Sequence, residues 1–158
     1  MERIDKVNYY LDIADTVLER STCLRRKYGA IIVKNDSIIS TGYNGAPRGR
    51  KNCNDLNFCL RESMGVPSGQ RYELCRSVHA EANAIIAAAR NDMIGGTLYL
   101  SGRDARTGEL IEADPCSMCR RTILNAGIAK VVCRVSETEY KVVDPAEWIA
   151  EDDTAPQL

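Results

Sequence analysis

Histidine is almost missing from this 158-residue chain, which carries a single one, His79. Aromatic side chains other than tyrosine are equally scarce, with one Phe and one Trp beside seven Tyr. No apolar run approaches the roughly 18 residues that a membrane-spanning helix requires. Neither sign of charge is in excess: 21 Lys and Arg face 22 Asp and Glu, a formal net charge of -1. That balance argues against a sequence-independent grip on nucleic acid and leaves a small polar substrate open. The opening MERIDKVNYYLDIAD has neither the basic nor the apolar segment of a secretory signal, so the expected location is cytoplasmic.

Cysteine, by contrast, is plentiful. The seven residues at 23, 53, 59, 75, 116, 119 and 133 form an odd set. Without an export signal, such a set points to reduced thiolates used as ligands rather than to disulfides. The apolar fraction of 44% and the charged fraction of 27% belong to an ordinary soluble globular chain. A chain of this length buries roughly 70% of its unfolded surface and folds without staples. One domain over residues 1–150 is expected, followed by a polar tail at 151–158.

Periodicity supplies the elements. Ile4, Val7, Leu11, Ala14 and Leu18 recur at three- and four-residue steps, which predicts a helix to about Arg20. Two apolar runs flank Lys34-Asn35-Asp36 in YGAIIVKNDSIISTGYN, the pattern of a β-hairpin. From Asn44 to Arg76 no period survives, and a loop of that length needs a tether. SVHAEANAIIAAARND predicts a helix with Ser77 as N-cap and Gly95-Gly96 beyond its end. TLYLS is a short strand, and PCSMCRRTILNAG a helix opening at Pro115 and closing on Gly127. IAKVVCRVS is a further strand and DPAEWIAEDD a closing helix. The alternation of helices with strands predicts an α/β sandwich, with helices packed on a mixed sheet.

The chemistry rests on three side chains. Zinc favours tetrahedral coordination by imidazole nitrogen and thiolate sulfur, and a catalytic site leaves one position open. His79, Cys116 and Cys119 supply that set: two cysteines three apart at a helix start can face one ion, and the helix N-terminus favours thiolate. Glu81, two residues beyond His79, would close the site if it coordinated. Left free, it can take a proton from water and return it to a substrate. Cys133 falls in the apolar run AKVVCRV and reads as a small buried hydrophobe.

The order H-x-E and then P-C-x-x-C is the signature of zinc nucleobase deaminases. With STCLRRKYGAIIV, GYNGAPRG, CRSVHAEANAI and TLYL, the chain resembles the deoxycytidylate (dCMP) deaminases of the cytidine deaminase superfamily over roughly residues 5 to 135. The tRNA adenosine and riboflavin-pathway deaminases share the zinc motif but are less similar around Tyr43-Asn44-Gly45. The resemblance implies a cytidine deaminase-like three-layer α/β/α sandwich with a mixed β-sheet. It also implies hydrolysis of dCMP to dUMP and ammonia, which feeds thymidylate synthesis, with Glu81 as the proton shuttle.

By the same resemblance, Asn44 and Ala80 would contact substrate. Among the basic residues of the matched loops, Arg25, Arg26, Arg48, Arg50 and Lys51, Arg25 is the favoured phosphate partner because it lies inside a matched motif. A homohexamer is implied, activated by dCTP and inhibited by dTTP, with Mg2+ accompanying the bound nucleotide. The effector site would use Tyr43, Gly45 and Arg48.

Two departures stand out. Cys23, Cys53, Cys59 and Cys75 remain after the catalytic set, enough for a second, structural zinc that would tether the irregular segment. Related enzymes often use histidine in such a site, and this chain has none to spare. The connection SGRDARTGELIEAD is longer than the usual near-direct link, and Thr107-Gly108 predicts a small hairpin within it. Two other readings compete: a deaminase of a free nucleoside or RNA base, and a non-enzymatic zinc module. A basic face with stacking aromatics would favour RNA, and a purely structural zinc has no use for Glu81.

Overall fold

Alternation along three strands creates two cores in the computed structural model, which describes residues 1–154. Ala30, Ile32, Leu98, Leu100, Val131 and Cys133 face one side of the sheet. Their neighbours Ile31, Val33, Tyr99 and Val132 face the other. Strands buried on both faces read as continuous apolar runs, and AIIV, LYL and VVC are such runs. Helices must therefore cover both sides.

In chain order, α1 (Lys6–Val17) is followed by the hairpin of β1 (Arg26–Lys34) and β2 (Ser37–Tyr43). Single-turn helices α2 (Cys53–Leu56) and α3 (Leu60–Ser63) interrupt the irregular segment before α4 (Ala80–Ile86) and α5 (Arg90–Met93). Then come β3 (Thr97–Asp104), β4 (Leu110–Ile111), α6 (Ser117–Ala126), β5 (Lys130–Arg134), β6 (Tyr140–Val143) and α7 (Pro145–Thr154). The sheet order is β2-β1-β3-β5-β6, with β4 paired to the far end of β3. Only β3 and β5 run parallel, joined through α6, so the sheet is mixed. The α/β sandwich expected from the sequence is the observed architecture.

Each layer has a local cause. Asn35 and Asp36 both take positive φ, 52° and 58°, the conformation a tight two-residue hairpin turn requires. Asp5 caps α1 by accepting from the Asn8 amide at 2.9 Å. This cap leaves Ile4 outside the helix and 52% exposed, so the predicted apolar stripe begins at Val7 instead. Tyr10, Leu11 and Ala14 bury on one face of the sheet. The helix is further pinned by Asp15, which accepts from Arg103 at 2.8 and 2.9 Å, and by Asp12, which accepts from the buried Arg134 at 2.7 Å. Opposite, Ala80 and Ala84 of α4, Ile123 and Ala126 of α6, and Trp148 of α7 build the larger core.

Several expectations shift. The helix predicted from Ser77 begins only after His79, because Val78 and Gly45 exchange backbone hydrogen bonds at 2.7 and 3.2 Å and hold residue 78 extended. It also stops at Ile86, and the residues beyond form the separate turn of α5. Pro115 precedes the cap of α6 instead of opening it, since Cys116 is the N-cap; Gly127 closes the helix in the left-handed conformation as expected. The strand β6 was not anticipated: its edge position leaves alternate residues exposed and only short apolar content to read. The closing helix runs to Thr154, into the stretch read as tail, and residues 155–158 of that tail lie outside the described residues. Among the described residues, no helix is long and apolar enough to cross a membrane.

Candidate active site

Two helix starts meet at one edge of the sheet. His79 is the N-cap of α4 with an extended backbone (φ -70°, ψ 154°), and its ring makes no capping hydrogen bond, so it is free to point outward. Cys116 is the N-cap of α6 in the same extended state, and Cys119 follows one turn later, 3% exposed. Nδ1 of His79 lies 3.3 Å from Sγ of Cys119 and 3.5 Å from Sγ of Cys116. Tetrahedral zinc, with bonds of about 2.0 Å to nitrogen and 2.3 Å to sulfur, separates its ligands by about 3.6 Å. The three donors thus fit that ion. Among the described residues, they form the one group of three or more His, Cys, Asp or Glu donors lying within 4.8 Å of one another.

Charge distribution supports the same reading. The hydrogen bond from Cys119 holds the Cys116 thiol well below the ordinary thiol range, with burial opposing this and His79 adding to the pull. The same bond pushes Cys119 up. His79, facing the Cys116 sulfur first and Cys75 next, is raised to about 10. A crowd of nitrogen and sulfur sharing protons at these distances is what a divalent cation replaces.

Glu81, in the first turn of α4, is 5% exposed and stands beside the cluster without belonging to it. Burial is the main cause that pushes its carboxyl above the ordinary carboxylate range. A carboxyl so placed can hold a proton that a solvated one would lose. Tyr72 meets the His79 ring edge-on, with centroids 4.9 Å apart, and fixes the imidazole plane.

In front of these groups lies a cavity of about 480 Å³, walled by residues from the start of β1, the irregular segment and the two helix starts. Its size suits a small ligand. Of the residues expected to contact substrate, Asn44, Arg25 and Glu81 line it, and so do Arg26 and Arg50. Asn44 is already committed: its Oδ1 accepts from Ser21 Oγ at 2.6 Å and from the Tyr28 amide at 2.9 Å, and its Nδ2 donates to the Arg26 carbonyl at 2.9 Å. One amide hydrogen remains for a ligand. Ala80 is not among the lining residues, for its methyl is fully buried in the core. Tyr43, Gly45, Arg48 and Lys51 also lie outside the lining.

The four remaining cysteines share a wall of the cavity but not a coordination sphere. Cys23, Cys53, Cys59 and Cys75 all line it, yet no three of them bring their sulfurs within 4.8 Å. Burial first, then the other three thiols, pushes Cys53 up. For Cys75, burial works upward but a hydrogen bond with His79 and the Ser77 amide win, so it is pulled down. Cys133 is fully buried in the core, as its apolar run implied.

Sequence reasoning missed Arg61. It is 7% exposed, donates to the carbonyls of Gln70 and Pro67 at 3.0 and 3.2 Å, and lies 4.3 Å over the Tyr72 ring. It ties the irregular segment to the residue that orients His79. An arginine among polar neighbours carries no signal of that role.

Comparison with known proteins matches this geometry. The family model of the cytidine and deoxycytidylate deaminase zinc-binding region matches residues 4–135. The deoxycytidylate deaminase of Mycobacterium phage D29 is 39% identical over 137 residues, covering 84% of this chain and 96% of that protein. The deoxycytidylate deaminase of Schizosaccharomyces pombe is 33% identical over 129 residues, 82% of this chain but 37% of that longer protein. Among solved structures, the dCMP deaminase of cyanophage S-TIM5 in complex with dCMP and dUMP superposes with a TM-score of 0.59 at 28% identity, covering 83% of this chain and 82% of that one.

Proposed function

This chain belongs to the cytidine and deoxycytidylate deaminase zinc-binding family, and from that premise we propose that it hydrolyses dCMP to dUMP and ammonia. The observation that carries the reading is the His79, Cys116 and Cys119 cluster with the buried Glu81 beside it but outside the donor set, where His79, Cys116 and Glu81 line a cavity of about 480 Å³. The three side chains would hold zinc. When bound, zinc supplies Lewis acidity that readies a water molecule as nucleophile near neutral pH.

Everything else falls to the chain. Glu81 takes one proton from the attacking water and delivers it to the ring nitrogen, then takes a second from the hydroxyl that the attack leaves on the ring carbon and delivers it to the amine, which departs as ammonia. Asn44, locked by three hydrogen bonds, presents its remaining amide hydrogen to the nucleoside. Arg25 supplies the phosphate contact, because its Nη1 is buried in the cavity wall with no hydrogen-bond partner.

Product formation from dCMP and from deoxycytidine, measured side by side, tests the assignment. A preference for dCMP of about a hundredfold in kcat/KM is expected, the size of one or two charge-assisted hydrogen bonds. Equal use of both substrates would move the enzyme to free nucleosides.

Two finer points belong to the same proposal. Because Cys23, Cys53, Cys59 and Cys75 share one wall, a second zinc that draws them together would brace the irregular segment. Metal analysis of Cys59→Ser should then read about one zinc per chain against about two for the parent; an unchanged content rejects the site. Tyr43 and Arg48 are exposed and outside the cavity, a position suited to effector nucleotides such as dCTP and dTTP binding apart from substrate.

A further inference from the structure

The hairpin made by β3 and β4 carries none of the clustered donors, yet it reaches Arg25 by two routes. One is backbone: β3 continues past the length it shares with β5, pairing Asp104 with Arg26 at the start of β1. The amide of Ala105 then donates to the Arg25 carbonyl at 2.9 Å. The other runs through Glu62 of α3. Arg106, at the hairpin tip, donates from Nη2 to Oε1 of Glu62 at 2.5 Å. The second oxygen of Glu62 lies 3.8 Å from Nε of Arg25, close enough for attraction but too far for a hydrogen bond.

Glu62 thus sits between two guanidinium groups and is committed to the outer one. Arg25 is left with its Nη1 buried and unpartnered in the cavity wall. A planar guanidinium binds a carboxylate or a phosphate through the same fork, so a carboxylate that closed on Arg25 would compete with an incoming phosphate. Removing Arg106 would leave Glu62 no stronger attraction than Arg25. Arg106 is 65% exposed and lies outside the cavity, so it cannot act on substrate directly.

We propose that Arg106 is a positioning residue for phosphate recognition: by engaging Glu62 it keeps that carboxylate, 3.8 Å from Nε of Arg25, from closing to a hydrogen bond, so that the unpartnered Nη1 of Arg25 meets the phosphate of the substrate. This rests on the reading of Arg25 as the phosphate contact. It also gives the long connection between β3 and α6 a task, since a direct link would carry neither Ala105 nor Arg106 to this place.

The test compares steady-state kinetics on dCMP and deoxycytidine for the parent, Arg106→Ala, Arg106→Lys, Arg25→Ala and the double variant Arg106→Ala/Glu62→Gln, with melting temperatures alongside. Arg106→Ala should raise KM for dCMP about fivefold, the scale of one exposed ion pair, with kcat and deoxycytidine turnover unchanged. Arg106→Lys should retain most of the parental KM. The double variant should recover it, because the competing carboxylate is gone; a hairpin with a merely structural role would not be rescued in that way.

An Arg106→Ala protein that loses kcat on both substrates, or a double variant that fails to recover, overturns the proposal. If Arg25→Ala raises the dCMP KM selectively while Arg106→Ala is silent, the hairpin's role falls and the phosphate reading stands. If Arg25→Ala has no phosphate-specific effect, both fall.

Discussion

Glu81→Gln will keep its zinc and lose its turnover. Glutamine has the shape of the carboxylic acid and can keep its hydrogen bonds, but it cannot take up and release a proton. Glu81 is 5% exposed at the start of α4 and is not one of the three clustered donors. Losing it removes no ligand and opens no cavity. Proton transfer by a positioned side chain is worth 10²- to 10⁴-fold, and in the proposed reaction the nucleophile, the ring nitrogen and the leaving amine would all draw on this one group. A fall in kcat of roughly 10³-fold or more is therefore expected, with KM changed little. Zinc content by elemental analysis is the necessary companion measurement. Loss of zinc together with activity would make Glu81 a ligand, and unimpaired turnover would return the cluster to a structural role.

The second large effect is on stability and lies beneath the site. Gly42, near the end of β2, packs directly on the backbone of α4: a side chain there would overlap the Ala80 carbonyl and the Ala84 amide. Gly42→Val forces the helix away from the sheet, and the neighbours that must move are backbone rather than flexible side-chain ends. Overpacking of this kind costs about 3 kcal/mol, which in a domain of this size lowers the melting temperature by roughly 10 °C. Since α4 carries both His79 and Glu81 at its start, activity should fall even well below the transition, because displacement of catalytic groups by about 1 Å costs on the order of a hundredfold. Gly49 provides the contrast. It has positive φ (86°) but open space around it, so Gly49→Ala should cost only the local backbone strain of about 1 kcal/mol and spare activity. Thermal melts of the two variants against the parent separate close packing from loop conformation; equal melting temperatures would refute the contact.

The reactive groups were legible because their chemistry is written in residue type and spacing. A single histidine leaves no alternative imidazole. Two cysteines three apart at a helix start can meet one ion whatever surrounds them, and Glu81 two residues from His79 is bound to lie near it. The two-sided burial of AIIV, LYL and VVC was legible for a similar reason: a strand alternates its faces, so an unbroken apolar run must be covered on both. Turn chemistry was equally local, as Asn35-Asp36 and Thr107-Gly108 demonstrate.

What could not be read from the chain depends on partners far away in sequence. The start of α4 was misplaced at Ser77 because the bridge between Val78 and Gly45 overrides a good capping residue, and that pairing spans the whole irregular segment. Asn44 looks like a free polar side chain until Ser21, Tyr28 and Arg26 close around it. Arg61 looks like a surface charge until Gln70, Pro67 and Tyr72 bury it. The four extra cysteines suggested a shared ion by count alone, while the fold gathers them only on one wall.

The sequence by itself determined which atoms can do chemistry and which runs must be buried, since both follow from covalent structure and short-range periodicity. Only the tertiary structure decided which of several arginines lining the cavity keeps a buried nitrogen without a hydrogen-bond partner, and that Glu62 is held by Arg106 more closely than by Arg25. Charge pairing falls off over a few ångströms, so it is settled by distances that no local pattern encodes.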